Sequence, residues 1–335
     1  MAGATDTRDL GKTMKIIIAS SFPEFHNRNF SIPMDLAAAF RELVGEENVV
    51  VSSFFSIEQA LEENIPNVLL LVGSPAATET NYRSIAIACS RLGVLFAFWT
   101  VEDPYEFDLN FKFSEFADVV FSNDALAADY YERDRVFHLP LAANPSKNPA
   151  VLPMTDRKTD VFFCGVGFPN RQRLIRDALP TLQRYRSIIL GDNWPELDPT
   201  VVVNQRVSQQ HLLQYYAQSK VVLNIGRSLS IANRKRSLSP VTPGPRTFEA
   251  AMTGCVQMYH QPSHYLNMYF QPEKEILCFS SITEFHEKLD WLMANPEAAQ
   301  EIALAAKSRA EKEHSYFARA QTILSAISVF ETELC

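Results

Sequence analysis

The chain has 335 residues, of which 47% are hydrophobic, and a formal net charge of −8. That length exceeds what one hydrophobic core usually fills, so two domains are expected. The acidic balance argues against a non-specific nucleic-acid binder, which needs a basic face, and the longest apolar runs, such as 68–72 and 119–121, are far too short to span a bilayer.

Residues 1–13 are small and polar without the apolar stretch of a secretory signal, and they read as a disordered tail. The cysteines (Cys89, Cys164, Cys255, Cys278 and Cys335) are odd in number and lack metal-ligand spacing. Buried free thiols in a reducing cytoplasm are therefore expected, with no disulfide framework and no metal site.

From residue 14 onward, short apolar runs alternate with helical patterns. Strands are expected at 15–19, 49–52, 68–72, 95–99, 118–121 and 136–139. Helices are expected at 34–43, 57–62, 82–92 and 125–132. Such alternation argues for a parallel sheet covered on both faces. The stretch 141–155 holds Asn144-Pro145, Asn148-Pro149 and Pro153 and reads as a linker. Alternation restarts with strands at 160–164, 187–190, 201–203, 221–224, 256–259 and 275–279, and with helices from 171 and at 208–217. From 282 the chain reads as helical, broken near Asn295-Pro296, and ends in an amphipathic helix at 316–332. The expected organisation is an N-terminal domain (14–150), a C-terminal domain (151–315) and a closing helix (316–335), both domains doubly wound α/β. Residues 1–150 carry 11 basic and 21 acidic side chains, net −10; residues 151–335 carry 20 and 18, net +2. An anionic ligand is better placed on the second domain.

The most informative stretch is 245–256. Pro245 suits the first helical position, and Gly254 stops the helix after one and a half to two turns, just before a strand. The helix start offers backbone N–H groups and a positive dipole end to an anion. Glu249, about a turn further on, would accept hydrogen bonds from a pair of hydroxyls. Together these suit a nucleoside diphosphate; the alternative is a core helix that happens to hold a glutamate.

Gly165-Val166-Gly167-Phe168-Pro169-Asn170-Arg171 follows the first strand of the second domain and opens a helix, where open α/β sheets bind ligands. Gly165 and Gly167 would permit close backbone approach, and Arg171 would meet a phosphate; a tight turn is the alternative. The dinucleotide fingerprint is excluded, because Asn170 stands where its third glycine would be. Asn224-Ile225-Gly226-Arg227 ends another strand and leads into a loop, 228–245, containing Arg234-Lys235-Arg236. The triplet would close over a diphosphate or be a solvated loop; Arg227 and Arg246, at element ends, are the candidates carried forward. In the first domain Glu102 and Asp103 end a strand, placed for acid/base work or for binding hydroxyls, or else forming a polar turn at Asp-Pro. His26 follows the first strand and would face the same edge, although a lone loop histidine is more often structural.

The ordered set of segments resembles the CgeB-type, spore-maturation-protein-like glycosyltransferases of the GT-B fold. The matching pieces are Trp99-Thr100-Val101-Glu102-Asp103-Pro104, Asp118-Val119-Val120-Phe121-Ser122-Asn123, and His138-Leu139-Pro140-Leu141-Ala142-Ala143-Asn144-Pro145. They continue with 160–171, Ser219-Lys220-Val221-Val222-Leu223-Asn224-Ile225, Arg246-Thr247-Phe248-Glu249-Ala250-Ala251, Glu275-Ile276 and Glu313-His314-Ser315-Tyr316. The resemblance implies two Rossmann-like domains facing a cleft, a final helix crossing back to the N-terminal domain, and no metal or other cofactor. It implies that Glu249 binds ribose hydroxyls and that Arg246–Thr247, with Arg171 and Arg227, hold the diphosphate beside the Gly165, Gly167 and Asn170 loop. Residues 204–207, Arg206 and Val207 among them, would lie beside the base.

Many relatives of this fold carry a second glutamate eight positions before the first, against the donor sugar; here that position is Val241. An inverting enzyme would draw a base from Asp103, Glu102 or His26, whereas a retaining one needs none. The expected protein is a cytoplasmic, metal-independent glycosyltransferase using a nucleoside-diphosphate sugar, UDP-linked above all. Its acceptor would be a small molecule, glycan or protein rather than a nucleic acid. Two alternatives stand beside it. Transfer to modified DNA bases has the basic triplet as its only support. A catalytically inactive nucleotide-sugar-binding scaffold draws some weight from Val241.

Overall fold

The computed structural model describes residues 14–21, 31–74, 79–228 and 230–333; the expected tail 1–13 lies outside them. The chain divides into two units, each built on a six-stranded, all-parallel sheet.

In the first unit the strands are β1 (Ile16–Ser20), β2 (Val49–Ser53), β3 (Val68–Gly73), β4 (Leu95–Thr100), β5 (Val119–Ser122) and β6 (Val136–His138). They alternate with α1 (Ser31–Val44), α2 (Ile57–Asn64), α3 (Glu79–Leu92), α4 (Phe107–Ser114) and α5 (Ala125–Asp129). The sheet order is β2-β1-β3-β4-β5-β6. β1 and β3 are buried along their whole length, which is why they read as unbroken apolar runs rather than alternating ones. Ile17, Leu69, Leu71, Phe96 and Phe98 pack with Tyr82 and Ile85 of α3 in one core.

The second unit repeats the plan. Its strands are β7 (Thr159–Cys164), β8 (Ser187–Gly191), β9 (Val202–Asn204), β10 (Ser219–Asn224), β11 (Val256–His260) and β12 (Leu277–Phe279). Its helices are α6 (Pro169–Leu182), α7 (Gln209–Gln218), α8 (Pro245–Met252), α9 (Ile282–Ala294) and α10 (Pro296–Glu313). The order is β12-β11-β10-β7-β8-β9. In each unit the strand order reverses beside the first strand, between β1 and β3 and between β7 and β10. Ligands of open α/β sheets collect at such switch points.

Four features differ from the sequence expectation. α4 was not anticipated: its FDLNFKFS sequence has weak helix propensity, but Phe107, Asn110 and Phe113 recur every three residues and are buried, so packing decides. α5 ends at Asp129 rather than near residue 132. Beyond it Arg133 reaches back to the carbonyls of Ser114, Ala117 and Asp118 and holds the chain in a turn.

The division between units falls at Leu141/Ala142, not at 150. Within the expected linker Met154 joins the second core. Next to it the buried Arg157 donates to the carbonyls of Leu152, Ser219 and Gly254 at 3.1, 2.8 and 2.6 Å.

The fourth difference is the largest. Residues 230–240 belong to the first unit, although they lie between β10 and α8 of the second. Leu238 joins the first core. The N–H groups of Ile231 and Ala232 donate to the Tyr105 carbonyl at 3.0 and 2.9 Å, and the Asp108 N–H donates to the Ala232 carbonyl at 2.8 Å. Residues 230–240 therefore form a strap on α4. The closing helix α11 (Tyr316–Glu333) also groups with the first unit. There it packs on α1, and the Arg319 guanidinium donates to the Pro140 and Leu141 carbonyls at 2.6 and 3.3 Å.

Candidate functional site

The candidate site lies in the second unit, where the carboxyl ends of β7, β8 and β10 meet the start of α8. Pro245 opens α8 after Gly244, and no side chain caps it. Phe248 and Met252 pack with Tyr269, Phe270 and Ala306, while Ala250 packs with Phe162, Tyr216 and Cys255. With most of the helix buried, Arg246 is exposed and Glu249 half-buried. Three residues apart, these two share one face.

The first turn is anchored from below. Thr247 Oγ1 donates to Asn224 Oδ1 at 3.2 Å, and Asn224 Nδ2 donates to Gln257 Oε1 at 2.7 Å. Arg246 donates to the Cys164 carbonyl at the end of β7. Glu249 Oε1 accepts from Gln209 Nε2 at 2.6 Å.

Gly165 and Gly167 stand close against their own neighbours. A Cβ on Gly167 would stand 2.6 Å from the Asn193 carbonyl oxygen. Gly191, with φ +144°, brings its backbone so close that a Cβ would meet the Gly165 oxygen at 1.9 Å. Trp194 closes this packing by donating from Nε1 to that same oxygen at 3.1 Å.

Arg171 is held by the protein's own carbonyls. Its guanidinium spans the switch point, donating to Val166 O on the β7 loop at 3.1 Å and to Ile225 O on the β10 loop at 3.0 and 2.8 Å. It also lies over the Phe163 and Phe168 rings. Arg171 is thus a strut joining two loops. Asn170 reinforces it, donating to Gly226 O at 2.9 Å and accepting from Ser228 Oγ at 2.9 Å. Arg227, half-buried, follows on that loop. Arg206 is exposed and pairs with Asp192 at the end of β8, and Val207 packs against the core around Leu212 and Leu213. The carbonyl of Val241 accepts from Ser263 Oγ at 2.9 Å.

In the first unit Asp103 does not face a ligand. It is 1% exposed. One carboxylate oxygen accepts from Thr100 Oγ1, Ser122 Oγ and Tyr131 OH at 2.7, 2.7 and 2.8 Å; the other accepts from Asn110 Nδ2 at 2.7 Å. Burial, with the charge of Asp103 beside it, pushes the Tyr131 phenol well above its ordinary range, so it stays a donor. A general base must reach the proton it removes. Asp103 is walled in, and it braces β4, β5 and α4 instead. Glu102 is half-buried in the adjoining turn, its carbonyl accepting the Glu106 N–H at 3.0 Å. His26 lies outside the described residues.

The basic triplet is exposed, as a solvated loop would be. It lies on the strap of the first unit. Asp108 Oδ2 accepts the N–H groups of Arg234 and Lys235 at 2.8 and 3.2 Å, and Arg236 pairs with Glu132. Gln209, Asn224 and Asp192 were not singled out from the sequence. Only the Ser208 cap ahead of α7 marks Gln209's position, and nothing local marks its partner.

Comparison with known proteins places this geometry. A family model described as glycosyl transferase-like matches residues 171–325. Spore protein CgeB of Bacillus subtilis (strain 168) is 23% identical over 222 residues, covering 62% of this chain and 67% of that protein. HepE of Anabaena, solved with UDP-glucose, superposes with a TM-score of 0.65 at 13% identity, covering 94% of this chain and 100% of that one. Sucrose-phosphate synthase of Thermosynechococcus elongatus gives 0.62 at 11% identity, covering 95% and 100%. At such low identity the two solved structures carry the fold.

Proposed function

We propose, from the premise that the chain is a CgeB-type glycosyltransferase of the GT-B fold, that it moves a glycosyl group from a UDP-linked sugar to a hydroxyl or amine of a small molecule, glycan or protein. The observation that carries the reading is the first turn of α8. An uncapped helix start, with Arg246 and Glu249 on one face, stands at the carboxyl edge of the second sheet. The diphosphate would lie on the helix start, where backbone N–H groups and the dipole favour an anion. Arg246 and Arg227 would add charge, and Glu249 would take the ribose hydroxyls.

Cleavage of the glycosyl–phosphate bond leaves a diphosphate whose growing charge needs fixed donors nearby. The helix start and arginines supply them without a cation, so metal independence belongs to the same reading. With Arg171 committed to the loops, its part is to shape the pocket. With Asp103 buried, an inverting route would take its base from Glu102 or His26. The acidic first unit favours an acceptor that is not a polyanion. Transfer to DNA bases would draw on the same triplet, of which Arg236 is paired with Glu132 while the Arg234 and Lys235 side chains are exposed.

The test is Glu249→Ala. Losing two charge-assisted hydrogen bonds should weaken UDP binding by roughly 10- to 100-fold, with an unchanged melting temperature. An unchanged dissociation constant by calorimetry would overturn the ribose assignment. Slow hydrolysis of one sugar nucleotide from a panel, abolished in the variant, would support transfer chemistry. Binding without turnover across donors and acceptors would refute it.

A further inference from the structure

Gln209 opens α7 immediately after Ser208, whose Oγ caps the helix by accepting the His211 N–H at 3.3 Å and lies 3.0 Å from His211 Nδ1. The cap fixes the turn from which the Gln209 side chain leaves. That side chain crosses to another element and donates from Nε2 to Glu249 Oε1 at 2.6 Å, across 40 residues of sequence.

Hydrogen bonds from a pair of vicinal hydroxyls are directional, so the carboxylate receiving them must hold a fixed plane. A glutamate on a helix face has several rotatable bonds, and an unheld one must be ordered at each binding event. The amide of Gln209 does this beforehand and leaves the carboxylate charged. A carboxylate offers about four acceptor positions, and the bond from Gln209 takes one of them.

We propose that Gln209 is a positioning residue of the donor site. It orients the Glu249 carboxylate toward the 2′ and 3′ hydroxyls of a nucleoside diphosphate and so sets selectivity for an intact ribose diol. The proposal rests on Glu249 being the ribose-binding residue. Gln209 is exposed in the first turn of α7, so its replacement should leave the fold intact.

The experiment measures binding of UDP and of 2′,3′-dideoxy-UDP by calorimetry to the wild type and to Gln209→Ala, Gln209→Glu and Glu249→Ala. In Gln209→Ala, UDP affinity should fall roughly 5-fold while dideoxy-UDP affinity stays unchanged. In turnover the donor KM should rise and kcat should hold. Gln209→Glu adds a signature that a merely structural residue would not give. At acid pH the two carboxyls share a proton and UDP affinity is near wild type. As pH rises and that proton is lost, the like charges repel and affinity falls.

Equal losses for both nucleotides in Gln209→Ala, or no loss for either, would overturn the proposal provided that Glu249→Ala distinguishes the two. A Glu249→Ala variant that loses equally on both would refute the ribose assignment, and the proposal with it.

Discussion

Asp103 offers the sharpest separation between a structural and a catalytic carboxylate. In Asp103→Ala the Thr100 hydroxyl keeps the Phe121 carbonyl at 3.2 Å, and the Ser122 hydroxyl keeps the Asp124 carbonyl at 3.1 Å. Tyr131 OH and Asn110 Nδ2 lose the acceptor they bond at 2.8 and 2.7 Å. Two stranded buried donors at about 1–3 kcal/mol each put the cost near 4 kcal/mol. For a unit of this size that lowers the melting temperature by roughly 10 °C. Asp103→Asn should cost less, about 1–2 kcal/mol, because Asn110 Oδ1 has no hydrogen-bond partner and can accept from the new amide after an amide flip. The assay is thermal unfolding followed by circular dichroism, run beside a donor-turnover measurement on the same samples. A brace predicts that both variants melt early and that Asp103→Asn keeps turnover within a few-fold. An Asp103→Asn variant with wild-type melting and turnover reduced by about 100-fold or more, as loss of a general base would give, would refute the reasoning.

The second unit should lose stability in acid through Asp160. Burial alone would raise its pKa, but bonds from Arg186 and Lys220 outweigh that and hold it at about 2. A depressed pKa gives stabilisation that is complete above the unfolded value near 3.8 and vanishes as pH falls through about 2. It amounts to roughly 2 kcal/mol; urea titrations from pH 5 to 2 should show it, and Asp160→Asn should lack that dependence. Asp108→Ala removes the acceptor for the Arg234 and Lys235 N–H groups. Trypsin cleavage within 234–236 should then quicken roughly tenfold if opening precedes cleavage, and an unchanged rate would count against the strap. Glycosyl transfer should continue in EDTA, and a loss restored by manganese would contradict electrostatic stabilisation by the helix start alone.

Much of the architecture was legible because both sheets are parallel and covered on both faces. Strands such as β3 then read as continuous apolar runs, and Pro245 and Gly254 bracket α8 by backbone constraints local to those residues. The candidate site was legible only in part. Glu249 and Arg246 are set by their spacing on one short helix. The Gln209 amide, the Asn224–Gln257 anchor and the carbonyls that occupy Arg171 come from residues distant in sequence, and no local pattern announces them. α4 has no local signature for a related reason: its sequence, FDLNFKFS, is weakly helical until packing rewards it.

The chain by itself determined the order of its elements, two doubly wound halves, and a helix start suited to an anion. These follow from hydrophobic period, proline and glycine constraints and the distribution of charge. The tertiary structure alone decided that Asp103 is a buried brace, that Arg171 ties two loops, and that residues 230–240 belong to the first unit. The bond from the Arg234 N–H to the Asp108 carboxylate joins residues 126 positions apart. Whether a polar side chain binds its own fold or a ligand depends on the partners that folding brings to it, whereas the periodicity that makes a strand or helix lies along the chain itself.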